Sequence, residues 1–290
     1  MHDKSNVNII INKVKRLPTL PTVANKVTRL IKDPTCTAIK VSEVLDKDQS
    51  LTTRVLRLVN SAFYSLYTEV TNVRHAVALL GFRTISQIVI SISVFDVFKG
   101  GHGREFNREE FWKHSIGVAV ISQMIAQRAH YPRADDCFTA GLMHDIGKVV
   151  LDQYLHEEMT KVIQLTQERE IYFADAEKEV MGLTHADIGG QVMRNWNIPL
   201  PIMVAVQYHH QQPHERKGSA FSQDLIVDIV RLSNVICKRG KIGYSGDTLT
   251  PEMTGELWER LDIDHKSINR VIERCGEEIE KAGVLLELMG

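Results

Sequence analysis

The chain has 290 residues, of which 43% are hydrophobic and 24% charged, and its formal net charge is −1. This composition is ordinary for a globular protein and excludes a disordered or fibrous chain, while the length suffices for one large or two medium-sized domains. No run approaches the roughly 20 apolar residues that cross a bilayer, and the N-terminus lacks the apolar core of a signal peptide. Four scattered cysteines form no Cys-x-x-Cys pair. The sequence therefore predicts a cytoplasmic protein with reduced thiols and no membrane partner.

The charge is unevenly distributed along the chain. Residues 1–100 carry 14 Lys and Arg against 7 Asp and Glu, whereas the remaining residues carry 21 against 29. Opposite net charges lead us to expect that the two regions pack against each other. A basic region can also bind nucleic acid, but its Lys and Arg are dispersed, so we do not expect a nucleic-acid partner.

Apolar residues recur at helical spacing through the first hundred residues. The pattern predicts helices around 23–31, 51–59 and 76–80, the last ended by Gly81. Residues 84–98 are rich in β-branched side chains, which favour a strand. We nevertheless predict a helix there, because the run is too long for a typical strand and no partner strand is evident. The glycine-rich stretch 99–104 is the best candidate for a domain boundary.

Longer helical patterns follow in the second part of the chain. They predict helices over about 107–129, 136–153, 156–169, 174–182, 185–196, 199–210 and 222–239, with two short acidic helices in 251–288. The sequence thus predicts an all-α protein of two packed helical lobes, residues 1–105 and residues 106–290.

The most informative residues are the adjacent pair His144 and Asp145, followed by Lys148. Histidine supplies a neutral nitrogen ligand, and aspartate supplies an anionic oxygen that can bridge two cations. In a helix Lys148 would lie on the same face, which could then hold a metal and an anionic ligand together. Taken alone, the pair favours a simpler interpretation as a buried histidine and a helix-terminal carboxylate.

Four further histidines lie near predicted helix ends in the same lobe. Thr184 can cap the helix that begins at His185. Consecutive helical residues diverge by about 100°, so an adjacent pair converges on one ion most easily at a helix end. The polar loop that begins at Gln211 places the last two histidines at such an end. Each histidine alone favours a packing or surface role, but together with the first pair they indicate a ligand set: His114, His185, His209 and His210.

The order of these residues resembles the HD superfamily of metal-dependent phosphohydrolases, and most of all the HD-GYP phosphodiesterases of cyclic dinucleotides. The first lobe has a more specific resemblance. The strings Leu-Pro-Thr-Leu-Pro at 17–21, Asn-Ser-Ala-Phe-Tyr at 60–64 and Leu-Leu-Gly-Phe-Arg at 79–83 are similar to the HDOD domain, an HD-related output domain of bacterial signalling proteins. The resemblance covers about residues 15–240.

The resemblance implies two metal positions that share Asp145. The first would use Asp145, His185, His209 and His210, and the weaker second would use His114, His144, Asp145 and Asn234. HD enzymes have an aspartate where Asn234 falls, and the lost charge should weaken binding of a dication. The implied cofactor is one or two divalent transition metal ions, with iron preferred over Mn, Ni or Zn.

Two functions are compatible with this resemblance. Many HDOD proteins are non-catalytic regulators, so the first is a bacterial signal-transduction output or scaffold module that retains a metal site and acts through signalling protein partners. The alternative is a metal-dependent phosphohydrolase of a nucleotide or other phosphate ester, in which Asp145 and Lys148 would be catalytic. HD-GYP enzymes have a Gly-Tyr-Pro loop after their His-His pair, and residues 211–218 here read Gln-Gln-Pro-His-Glu-Arg-Lys-Gly. This difference and Asn234 favour the first function.

Overall fold

The computed structural model describes residues 4–15, 17–99, 106–247, 249–252 and 255–288. Within these ranges the regular structure consists of α-helices and one 3₁₀ turn, Pro213–Glu215, without a β-strand, which confirms the all-α prediction. The α-helices are α1 Lys4–Lys15, α2 Thr22–Leu30, α3 Ala38–Leu45, α4 Gln49–Val59, α5 Val73–Val97, α6 Arg108–Arg128, α7 Ala134–Met143, α8 Ile146–Tyr154, α9 His156–Arg169, α10 Phe173–Met181, α11 His185–Asn195, α12 Leu200–Tyr208, α13 Ser219–Ser222, α14 Asp224–Arg239, α15 Gly255–Glu259, α16 His265–Lys281 and α17 Val284–Glu287.

The chain forms two compact units. The larger contains residues 1–17 and 100–275, and the smaller contains residues 18–99 and 276–290. The predicted lobes, 1–105 and 106–290, divide the chain at one point. In the structure, residues 1–17 belong to the larger unit and residues 276–290 to the smaller. Within the larger unit, Asn195 Nδ2 donates a hydrogen bond to the carbonyl of Val14 in α1 at 3.2 Å. Within the smaller unit, Arg57 on α4 pairs with Glu287 on α17 at 2.5 Å.

In the smaller unit, α5 is interrupted at Gly81. Its φ of 81° and ψ of 165° lie outside the helical region, in a conformation that glycine adopts without strain. The break separates the two helices that the sequence predicts before and after this residue. The β-branched run that follows is helical because its side chains from Ile88 to Phe95 are buried, and burial outweighs intrinsic strand propensity.

Among the described residues, Val73–Val97 is the one helix that could cross a membrane by length and composition, and 56% of its most apolar window is buried in the fold. The break at Gly81 also divides it into segments shorter than the roughly 20 residues that span a bilayer. The apolar character of α5 is accounted for by packing in the core of the smaller unit.

The larger unit is built around α6, which packs against α7 and α14. The helix begins where the side chain of Asn107 accepts a hydrogen bond from the Glu110 amide at 3.0 Å. From Phe111 onward nearly all its side chains are buried, including His114 in its second turn. Helices α8, α11 and α12 complete the surroundings of this core. Any polar group on the inner face of α6 must therefore find a partner inside the protein.

The predicted single helix over 136–153 is wrong. Helix α7 ends at Met143 and α8 begins at Ile146, so His144 and Asp145 occupy the turn between them. The backbone of Asp145 has φ −100° and ψ 12°, which leaves the α-helical region. Close packing with α11 accompanies this break, because a Cβ on Gly147 would lie 2.0 Å from the carbonyl oxygen of His185. The turn brings both side chains to the junction of α8 and α11.

Candidate metal centre

The predicted residues lie on helices α6, α8, α11 and α14, in the turn between α7 and α8, and at the end of α12. His114 lies on α6, and His185 is the first residue of α11, which Thr184 caps as predicted and where Asp187 completes a capping box. The histidine pair directly follows α12, as predicted. The candidate residues on these elements are His114, His144, Asp145, Lys148, His185, His209, His210 and Asn234, and all except His210 are buried.

The potential ligand atoms form two groups that share Asp145. One contains Asp145, His185, His209 and His210, and the other contains His114, His144 and Asp145. Within each group one ligand atom of every residue lies within 4.8 Å of the others. These groups have the same members as the two metal positions implied by the sequence, with Asn234 beside the second.

The first group converges on one small space. Asp145 Oδ1 lies 3.0 Å from His185 Nε2 and 3.4 Å from His209 Nε2. The Nε2 atoms of His185 and His210 are 2.9 Å apart. Two ring nitrogens at that distance repel each other unless a proton or a cation lies between them. The first group therefore has the arrangement of three nitrogen donors and one oxygen donor around a common centre.

Each buried histidine has its other ring nitrogen fixed by the protein. Nδ1 of His144 faces the Gly141 carbonyl at 2.7 Å, and Nδ1 of His209 faces the Val206 carbonyl at 2.8 Å. Nδ1 of His185 lies 2.6 Å from Glu177 Oε2. Because a carbonyl oxygen only accepts, Nδ1 of His144 and of His209 carries the proton and Nε2 keeps its lone pair. This orientation by an outer partner is characteristic of metal-binding histidines.

Several of these lone pairs have no partner. His144 Nε2 and His209 Nε2 are buried and accept no hydrogen bond from the described residues. A buried polar atom left unpaired costs about 1–3 kcal/mol. A cation would satisfy them together, and a set of imidazole nitrogens with one carboxylate fits a divalent transition metal better than Mg²⁺ or Ca²⁺. The residues present therefore fit the implied cofactor.

The protonation states also suit a cation. Burial lowers the pKa of His114 to about 3 and that of His209 to about 4, so both are neutral near pH 7. Burial would raise the pKa of Asp145, but the charges of His144 and Lys148 outweigh burial and hold that pKa well below its usual range. For His185, the Glu177 carboxylate outweighs burial and raises the pKa to about 9. A cation at this group must therefore displace a proton from His185 Nε2.

Lys148, the predicted catalytic lysine, has its ammonium group engaged on all sides. Its Nζ lies 2.9 Å from Asp145 Oδ2 and 2.7 Å from Asp247 Oδ2. The same Nζ sits 4.6 Å from the ring centroid of Phe173. The side chain is fully buried. Its charge compensates the two carboxylates and is not directed into open space.

The second group differs because His114 has partners inside the protein. Its Nε2 lies 3.1 Å from Asn234 Oδ1, and its Nδ1 lies 3.3 Å from the Ile242 carbonyl. A neutral imidazole has one proton to share between these two contacts. His114 therefore donates to one of these oxygens through either ring nitrogen, whereas Nε2 of His144 and of His209 faces no such partner.

A cavity of about 320 Å³ opens beside the first group. His209, His210 and Asn234 lie in its wall, together with basic residues and acidic residues. The charged residues that line it are Lys178, Arg231, Lys238, Asp175, Glu215 and Asp247.

Three residues around the site are not found by sequence reasoning. Lys238 lies four residues after Asn234, so helical spacing could have placed it on the same face. Glu177 and Asp247 belong to no motif with the ligands, and only the tertiary fold brings them to His185 and Lys148.

Comparison with known proteins identifies the family of the chain. The model of the HDOD domain family matches residues 17–212. An HDOD domain protein with unknown function from Geobacter sulfurreducens is 28% identical, with a TM-score of 0.80 over 97% of this chain and 96% of that one. The "Putative phosphohydrolase" of Shewanella amazonensis SB2B is 21% identical, with a TM-score of 0.77 over 100% and 99% of the two chains. At that identity the second similarity concerns the fold alone.

Two further relatives extend the comparison. The "Putative signal transduction protein" of Marinobacter aquaeolei VT8 is 20% identical, with a TM-score of 0.77 over 98% of this chain and 66% of that one. An uncharacterized protein of Treponema pallidum is 24% identical over 206 residues, 71% of this chain, and the chain spans 40% of that relative's length. Because the family model covers more than half of the sequence, the chain belongs to the HDOD domain family.

Proposed function

We propose that the chain binds one divalent transition metal ion through Asp145, His185, His209 and His210, and acts as a cytoplasmic signal-transduction output module without efficient catalysis. The observation that carries the metal site is the buried, unpaired Nε2 of His209, which lies 3.4 Å from Asp145 Oδ1. Iron is the preferred ion, and Mn, Ni and Zn are alternatives with the same donor preference. Signalling proteins are the expected partners.

The second position, with His114, His144, Asp145 and Asn234, is the weaker one in this proposal. The Asp145 oxygen that faces it, Oδ2, is 3.4 Å from His144 Nε2 but only 2.9 Å from the Lys148 ammonium group. That positive charge disfavours a second cation at the same oxygen. Asn234 adds no negative charge to offset it.

Three features support weak or absent catalysis. A metal bound at the first group would supply Lewis-acid chemistry. Catalysis would also need a positively charged group directed at the reacting phosphate. Lys148, the candidate for that role, is instead paired with Asp145 and Asp247. The neutral Asn234 and residues 211–218, which have no Gly-Tyr-Pro sequence, remove two further features of HD-GYP enzymes.

A metal-dependent phosphohydrolase is the second candidate, and the cavity favours it. The cavity lies directly beside His209 and His210 and is lined by Arg231 and Lys238, which suit a phosphate ester. The similar Shewanella protein carries the phosphohydrolase name. In this alternative Asp145 and Lys148 would be the catalytic residues.

Elemental analysis followed by a hydrolysis screen separates the two candidates. We expect one transition metal ion per chain and turnover of cyclic di-GMP and simple phosphate esters far below the roughly 1 per second of a typical enzyme. Faster metal-dependent turnover that is lost in His185→Ala would establish the phosphohydrolase. Purified protein that takes up no transition metal would refute both.

A further inference from the structure

A buried carboxylate occupies two lysines beside the cavity. Asp247 Oδ2 lies 2.7 Å from Lys148 Nζ and 2.8 Å from Lys238 Nζ, and its side chain is 5% exposed. Ser245 Oγ lies 3.3 Å from the same oxygen. One anionic oxygen held by two ammonium groups and a hydroxyl is the environment that proteins provide for a bound anion. Here the chain fills that place with its own side chain.

The segment that delivers Asp247, residues 241–247, is fixed against α6. The Tyr244 amide donates a hydrogen bond to the Glu110 carbonyl at 3.0 Å. Gly243 has φ +61°, and a Cβ there would lie 2.3 Å from the His114 backbone nitrogen, so only glycine allows this approach. The Ile242 carbonyl faces His114 Nδ1. Release of Asp247 would therefore affect the surroundings of a candidate metal ligand.

The cavity holds a further positively charged group, Arg231, that pairs directly with no carboxylate among the described residues. Arg231 is half-buried in the cavity wall and forms no ion pair among the described residues. Its Nη1 donates one long hydrogen bond, 3.5 Å to the Gln211 carbonyl. The guanidinium group can bind two oxygens of one phosphate in parallel, which gives it a preference for that anion.

We propose that this cavity binds a doubly charged oxyanion of the phosphate monoester class through Arg231 and Lys238, and that Asp247 is its internal competitor. The ligand oxygens replace the Asp247 carboxylate on Lys238, and residues 241–247 lose that anchor. The inference rests on the proposed function, because release of this segment supplies the output of a signalling module. The anion site itself uses no metal ligand.

Inorganic phosphate is the probe for this site, measured by calorimetry on the full chain after metal removal by a chelator. Asp247→Asn keeps the shape and removes the competing charge, so phosphate should bind at least about tenfold more tightly than to the unsubstituted chain. Arg231→Gln should weaken binding by at least about tenfold. Asp175→Asn is the matched control, because Asp175 also lines the cavity. Its side chain is largely exposed and makes a long ion pair with Lys178, at 3.8 Å. The affinity of this variant should change by less than about twofold.

Hydrogen exchange of the unsubstituted chain provides a second test that needs no variant. Saturating phosphate should increase exchange at the amides of residues 242–247, whereas chloride at equal ionic strength should not. Unchanged affinity in both Asp247→Asn and Arg231→Gln, or unchanged exchange at saturation, would overturn the inference. If Asp247→Asn does not fold, the exchange measurement and Arg231→Gln still decide.

The metal content of the same samples before chelation separates this inference from the proposed function. Normal metal uptake without competition between phosphate and Asp247 would refute the anion site alone. Competition in a chain that never takes up metal would refute the metal site alone.

Discussion

The two ligand groups share Asp145, but the ring nitrogens of their histidines have different partners. In the first group His209 Nε2 has no partner, and the rings of His185 and His210 approach to 2.9 Å. In the second group His114 contacts Asn234 at 3.1 Å, and His144 Nε2 has no hydrogen-bond partner among the described residues. The comparison teaches that the first group could exchange a proton between two imidazoles for a cation, whereas His114 of the second group already has a protein partner.

The two oxygens of Asp145 show the same contrast. Oδ1 faces His185 Nε2 at 3.0 Å and His209 Nε2 at 3.4 Å. Oδ2 faces His144 but lies closer to the Lys148 ammonium group. One carboxylate therefore presents to the first group an oxygen beside imidazoles, whose proton a cation can replace, and to the second group an oxygen beside the fixed charge of Lys148.

Removal of the shared carboxylate should have the largest effect. His144→Ala combined with Asp145→Ala deletes the anionic ligand of both groups, so we expect transition metal content to fall to background. Elemental analysis of the purified variant measures this. His214→Ala is the control, because His214 is an exposed histidine of the same unit and belongs to neither group. Full metal content in the double variant would show that the histidines do not form a metal site.

Glu177→Gln should weaken the first group alone. The Glu177 carboxylate orients His185 through Nδ1 and also accepts its backbone amide hydrogen at 2.9 Å. Loss of such an outer partner typically lowers metal affinity by about 10–100-fold. Competition with a chromophoric chelator measures the change. Glu179→Gln on the same helix removes only a surface pair with Arg169 and should leave the affinity unaltered. Equal affinity in both variants would contradict the role assigned to Glu177.

Asn234→Asp should strengthen the second group. The new carboxylate would lie beside His114 and restore a charged oxygen ligand, so a second ion should bind when Mn²⁺ is in excess. Equilibrium dialysis gives the stoichiometry. The comparison variant is Asn269→Asp, which adds the same charge at an exposed position on α16. An unchanged stoichiometry would mean that residue 234 does not serve the second position.

The metal-free protein should lose stability on acidification. The pKa values of His114 and His209, about 3 and about 4, lie below that of an unfolded histidine, so their contribution is present above about pH 6.5 and is lost as pH falls toward those values. His185, with a pKa of about 9, contributes fully below about pH 6.5 and loses that contribution as pH rises through 9.

The free energy of unfolding should therefore be greatest near pH 6.5. It should fall by a few kcal/mol toward pH 4.5, since each pKa unit corresponds to about 1.4 kcal/mol. Urea denaturation in the presence of a chelator measures this. In His209→Gln the decrease should be smaller, because one titrating group is gone. An identical pH profile in the variant would exclude His209 as a source of the acid sensitivity.

Much of the fold and of the ligand set could be predicted from sequence, for a physical reason. Apolar periodicity reports burial along a helix, so it finds α6 and α9 within a few residues. Histidines at helix ends are conspicuous because few other roles require them together. The break at His144 and Asp145 was not predicted, because it depends on the approach of Gly147 to His185. Local sequence carries no record of such a tertiary contact.

The residues that contact the candidate metal ligands and Lys148 also could not be predicted from sequence. Glu177 and Asp247 are ordinary acidic residues until the fold sets one against His185 and the other against Lys148. Their effect on function is nevertheless large, because they fix the proton of one ligand and occupy the lysine predicted to contact phosphate. The catalytic role of Lys148 stays a prediction that belongs to the phosphohydrolase alternative, and its position near Asp145 agrees with the helical spacing.

Anomalous diffraction at the metal absorption edge, from crystals of the iron-loaded or manganese-loaded protein, tests the central claim most directly. Our account predicts one strong peak enclosed by Asp145, His185, His209 and His210, with at most a weak peak between His114 and His144. No peak at the first group, or two peaks of equal height, would contradict it.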